Sequence, residues 1–75
     1  MTPYSNLSGD SGVVAYDIGD DFIKIQFRHS RKVYVYDSAK PGWSRVQQMQ
    51  RLATAGRGLS SYISQHVGKN FSRTE

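Results

Sequence analysis

Cysteine does not occur in the 75 residues, which excludes disulfides and thiolate metal sites. That usage fits a reducing compartment. No apolar run approaches the ~20 residues needed to span a bilayer. The N-terminal "MTPYSNLSGDSG" has neither a basic n-region nor an apolar h-region, so no secretory leader is expected. A cytoplasmic protein with no membrane partner is the expectation. Carboxylates are scarce in one half only. Residues 1–37 set Asp10, Asp17, Asp20, Asp21 and Asp37 against Lys24, Arg28, Arg31 and Lys32, a balance of −1. Residues 38–75 set Lys40, Arg45, Arg51, Arg57, Lys69 and Arg73 against Glu75 alone, a balance of +5. A field of one sign over the second half favours anionic partners.

Catalytic sets are also sparse. His29 and His66 are the only histidines, and neither has metal-site spacing. His29 falls among basic residues in a turn and reads as solvated. His66 borders the apolar side of a helix and reads as a core-edge residue. Asp20 and Asp21 are turn residues and fall short of the ligands a calcium loop supplies. "GDSG" at residues 9–12 has the letters found around a serine-protease nucleophile, without a domain or triad to go with them. "AGRGLSS" does not match a phosphate-binding loop. No catalytic residue, metal site, cofactor or small-molecule substrate is expected, and the chain reads as a non-enzyme.

What is present is one small domain. Residues 1–11 are polar and aperiodic and read as a flexible arm, 12–71 as the domain, and 72–75 as a tail. "GVVAYDIG" reads as a strand that ends in the turn "GDD". In "FIKIQF", Ile23, Ile25 and Phe27 alternate with Lys24 and Gln26, the period of a half-buried strand. "RHSR" turns the chain into "KVYVYD". Short connections require antiparallel pairing.

After "SAKPGW" the period becomes helical. Trp43, Val46, Met49, Leu52 and Ala53 share one face, and "GRG" (residues 56–58) stops the helix. "LSSYISQHV" reads as a second helix, with Ser60 or Ser61 near its cap and Phe71 beyond it as an anchor. The expected fold is α+β, a three-stranded antiparallel meander followed by two short helices on one face (β-β-β-α-α).

Tyr34 and Tyr36 are two apart, so on a strand they share a face. A sheet covered on one side sends either this pair or Val33 and Val35 inward. A one-residue slip in the "RHSR" turn exchanges the two. Both registers satisfy the sequence. The usual packing role of strand aromatics favours an inward place for at least one ring.

The order of these features resembles the KTSC domain, a small domain found at the C-terminus of some lysyl-tRNA synthetases and as a free-standing bacterial protein. The resemblance is carried by "YVY" at Tyr34 and Tyr36, the preceding "IKIQF" with its basic turn, and "AGRGLSSYI", where Arg57 and Gly58 match the family's basic–glycine pair. It covers roughly residues 12–71. The turn "RHSRK" departs from the family in having no glycine. The resemblance implies a binding module, with RNA as the usual suggestion.

On that reading the candidate nucleic-acid-binding residues are Lys24, Lys32, Tyr34 and Tyr36 on the sheet, extended by Arg51, Arg57 and Lys69. Tyrosines stack on bases and cations meet phosphates. The alternative is a protein-interaction module or homodimer, since three strands leave two edges open to pairing. Trp43 and the tyrosines suit an interface equally, although Trp43 at a helix start reads first as a core or staple residue.

Overall fold

A computed structural model describes residues 1–7, 9 and 11–75. Asp10, within the "GDSG" peptide, lies outside the described residues. Five antiparallel strands form one sheet in sequence order: β1 (Thr2–Pro3), β2 (Val13–Ile18), β3 (Phe22–Phe27), β4 (Val33–Asp37) and β5 (Arg73–Thr74). Helix α1 (Trp43–Ala55) and α2 (Leu59–Tyr62) follow β4, and α2 runs into a π-helical turn, Ile63–Val67. Among the described residues no helix is long and apolar enough to cross a membrane.

The three expected strands are the middle of this sheet. The chain's two ends supply β1 and β5, so the meander is flanked on both sides. Two-residue strands carry no readable period, which is why the sequence shows neither. Residues 2–7 of the segment expected as a flexible arm are built into the fold. Tyr4 is buried, and its hydroxyl accepts a hydrogen bond from Leu59 N at 3.4 Å. That N–H belongs to the first turn of α2, where no intrahelical acceptor exists. Leu7 N also donates to Gly56 O at 2.7 Å, tying the same segment to the end of α1.

Register decides which residues form the core. Ile23 pairs with Tyr36, Ile25 with Tyr34, and Gln26 with Val33, leaving residues 27–32 between the last paired positions. That even number puts both tyrosines on the isoleucine side, facing the helices. Tyr36 is 1% exposed and packs with Ile23, Ile25, Val46, Met49, Leu59 and Ile63. Tyr34 is half-buried in an edge-to-face chain, with ring centroids 5.4 Å from Phe27 and 4.8 Å from Phe71. Phe71 is the expected anchor, reaching Tyr36 as well at 6.2 Å. Such contacts add about 0.5–1.5 kcal/mol each beyond area burial.

Val35 faces the other way and is still only 2% exposed. It lies between Lys24 of β3 and Arg73 of β5, its paired neighbours. Glu75 bridges those two cations, at 2.9 Å from Lys24 Nζ and 3.2 Å from Arg73 Nη2. Long cationic side chains on both neighbouring strands can cover an apolar residue with their stems while their heads stay in solvent, which accounts for the burial of Val35.

Helix α1 buries Val46, Met49 and Ala53, as its period predicts. Trp43 does not join them. It is 42% exposed at the first position of the helix, so the core or staple role is not realised. Gln50 clamps the helix to the β2–β3 hairpin, donating from Nε2 to Gly19 O (3.1 Å) and Phe22 O (2.9 Å).

Gly56 ends α1 at φ 80°, the left-handed conformation glycine adopts without strain. Gly58 repeats it at φ 81° and stands as the N-cap of α2, the place Ser60 or Ser61 was expected near. The pair of left-handed glycines reverses the chain and leaves Arg57 exposed between them.

Candidate nucleic-acid interface

The seven candidate residues do not form one surface. Tyr34 and Tyr36 lie beneath the helices, and Tyr36 has no ring face for a base. Its phenol is pushed up to about 12, first by burial and then by the neighbouring Tyr34. The stacking platform on the sheet is therefore replaced by a core pair. The physical reason is the even number of residues between Gln26 and Val33.

Lys24 belongs to the opposite side of the sheet. It is engaged with Glu75, and its Nζ lies 5.7 Å from the Phe22 ring centroid. The hydrogen bond from Lys24 is the first cause that holds the Glu75 carboxyl below its usual value. Asp37 stands nearby on the same strand face as Val35 and is also held low. Backbone N–H groups of Lys40 and Ala39 donate to it in the turn after β4, Lys40 contributing most. This outer face is a mixed-charge surface. Lys32 is exposed in the β3–β4 connection, beside Ser30.

Arg51, Arg57 and Lys69 are exposed and share the helical layer. Helical periodicity places Arg51 on the crest of α1, opposite Val46, Met49 and Ala53. It also borders an open groove of about 610 Å³ lined by Ile18, Gln47, Gln50, Thr54 and Ala55. Arg57 occupies the glycine-flanked turn at one end of the helix pair. Lys69 follows the π turn at the other end. Residues 38–74 contain no Asp or Glu, so the layer carries no carboxylate of its own.

Sequence reasoning missed two members of this layer. Arg45 on α1 donates from Nε to His66 O at 2.9 Å, reaching the π-helical turn that follows α2. Helix ends leave carbonyls without intrahelical donors. Here the turn is also widened, with Gly68 N bonded to Ile63 O five residues back at 2.6 Å. His66, expected at the core edge, is exposed. Its ring lies against Tyr62, with centroids 5.0 Å apart and planes tilted by 35°. The i, i+4 spacing of Tyr62 and His66 was the available signal, since residues four apart meet on a helix surface.

The arrangement offers cations and an aromatic pair on one side of the molecule. Among the described residues no group of three His, Asp or Glu side chains is placed to hold a metal ion. No protein-family model, curated protein or solved structure matches the chain.

Proposed function

We propose that the protein is a non-enzymatic module that binds single-stranded RNA through its helical layer, with the sheet as scaffold. The phosphate contacts are Arg51, Arg57 and Lys69, joined by Arg45. One observation carries the reading: a two-helix surface with exposed basic side chains and no carboxylate anywhere in residues 38–74. Phosphate neutralisation by such side chains supplies most of non-specific nucleic-acid affinity. The resemblance to the KTSC domain, with its place on lysyl-tRNA synthetases, points to the same class of partner. In this reading the Tyr-x-Tyr marker is a requirement of the core.

The strand-edge alternative has less in its favour. Both outer strands are two residues long and β1 ends in Pro3, features that blunt edge pairing.

The test is fluorescence anisotropy with a labelled pool of single-stranded RNA at low salt. Arg57→Ala and Lys69→Ala are each expected to weaken binding several-fold. Lys24→Ala, on the far side of the sheet, is expected to leave it unchanged. A wild-type protein that binds no RNA at concentrations up to about 100 μM, the weak end of non-specific affinities, would overturn the proposal. Self-association insensitive to salt would favour the protein-interaction reading instead.

A further inference from the structure

With Tyr36 buried and Tyr34 packed edge-to-face between Phe27 and Phe71, an RNA-binding helical layer needs another place for bases. We infer that Tyr62 and His66 form that place: a stacking site for one unpaired base, flanked by Arg45 and Lys69 for the adjoining phosphates. This rests on the reading of the helical layer as an RNA surface and names where on it a base is held.

Three observations converge. His66 is exposed, and Tyr62 covers one side of its ring at a centroid distance of 5.0 Å. Tyr62 itself is half-buried, so the exposed ring of the pair is the imidazole. Aromatic faces of this kind hold bases of any sequence, because every base has a π-face. Second, the site has its own cations. Arg45 Nε donates to the backbone carbonyl of His66 at 2.9 Å, which ties a guanidinium to the residue that carries the ring, and Lys69 follows three residues later. Third, the backbone is irregular at this point. Residues 63–67 form a π-helical turn, a feature that recurs at functional sites. The turn is closed by Gly68 at φ 58°.

Charge selects the occupant. Arginine and lysine on a segment that contains no carboxylate of its own complement a phosphodiester, and the ring pair complements the base between two phosphates. A bare polyphosphate would use the cations alone.

That difference defines the experiment. Binding is measured by anisotropy for a labelled uridine oligomer and for an abasic ribose-phosphate oligomer of the same length. Three proteins are compared: wild type, His66→Ala and His66→Phe. Wild type is expected to prefer the uridine oligomer. His66→Ala is expected to weaken uridine-oligomer binding by about 5-fold or more, the loss of one stacked base, while leaving the abasic oligomer unchanged. His66→Phe, which keeps a flat ring, is expected to restore the preference. Equal loss for both oligomers in His66→Ala would overturn the stacking role, as would no loss for either. In those cases wild-type binding of the abasic oligomer would still stand and the parent reading with it. Failure of wild type to bind either oligomer would overturn both. Circular dichroism of the variants confirms that the exposed position has not altered the fold.

Discussion

At the scale of single residues, Tyr36 is the most informative side chain. It is the largest fully buried residue, and removing its bulk leaves a cavity under both helices. Tyr36→Ala is expected to destabilise by about 3–5 kcal/mol, as other large aromatic truncations do. The phenol itself makes a pH prediction. Its folded-state pKa of about 12 lies above the unfolded value of 10. Stability from this group is therefore fully present below pH 10 and is lost as pH rises through 12. Phenolate absorbance should show a tyrosine ionising near pH 12, together with loss of structure, and Tyr36→Phe should abolish that step. A folded protein without that late step would contradict the burial.

The same residue marks where sequence reasoning stopped. Alternation in "KVYVYD" established the pair but not its side, because Val33 and Val35 are an equally good core pair. The deciding quantity is the number of residues the connection takes up. It is set partly by His29 at φ 65°, a left-handed position at a non-glycine residue that no motif announced.

Among the elements, legibility followed length. Strands β2, β3 and β4 and helix α1 span five residues or more and show their periods in the sequence. Strands β1 and β5 exist only through what they pair with, so they could not be read locally. The π turn is likewise invisible to a 3.6-residue pattern, and with it the outward place of His66. The contact that joins the layers is as unreadable, since Gln50 is 28 residues from Phe22.

Gln50→Ala deletes both donors to Gly19 O and Phe22 O and frees the β2–β3 turn from α1. The expected cost is about 1–3 kcal/mol, the range for partly buried hydrogen bonds that lose their partner. Urea denaturation should show a lower midpoint with an unchanged slope, since the exposed area on unfolding stays the same. An unchanged midpoint would mean that water replaces the amide without loss.

At the scale of the whole molecule, the sheet separates two electrostatic surfaces. On one side, Lys24, Arg73, Glu75 and Asp37 are interleaved, with the cations committed to Glu75. On the other, Arg45, Arg51, Arg57 and Lys69 stand in a layer without carboxylates. A polyanion approaching the helices meets these cations, bordered by Asp20 and Asp21 in the turn that Gln50 ties to α1. Composition indicated this asymmetry between the halves of the chain. The fold turns it into an asymmetry between two faces, which composition alone does not require.

Counterion release makes that difference measurable. For single strands the slope of log affinity against log salt is about −0.7 per phosphate neutralised. Contacts from the four helical-layer cations correspond to a slope of about −3. Removing one by Arg57→Ala should bring it about 0.7 nearer zero. Lys24→Ala should leave both slope and affinity as they were, because that ammonium lies on the other face and already has a carboxylate. A slope near zero in wild type would mean that binding does not run through phosphates. Equal slope changes in Lys24→Ala and Arg57→Ala would mean that the nucleic acid samples the whole surface, and the separation into two faces would carry no functional weight.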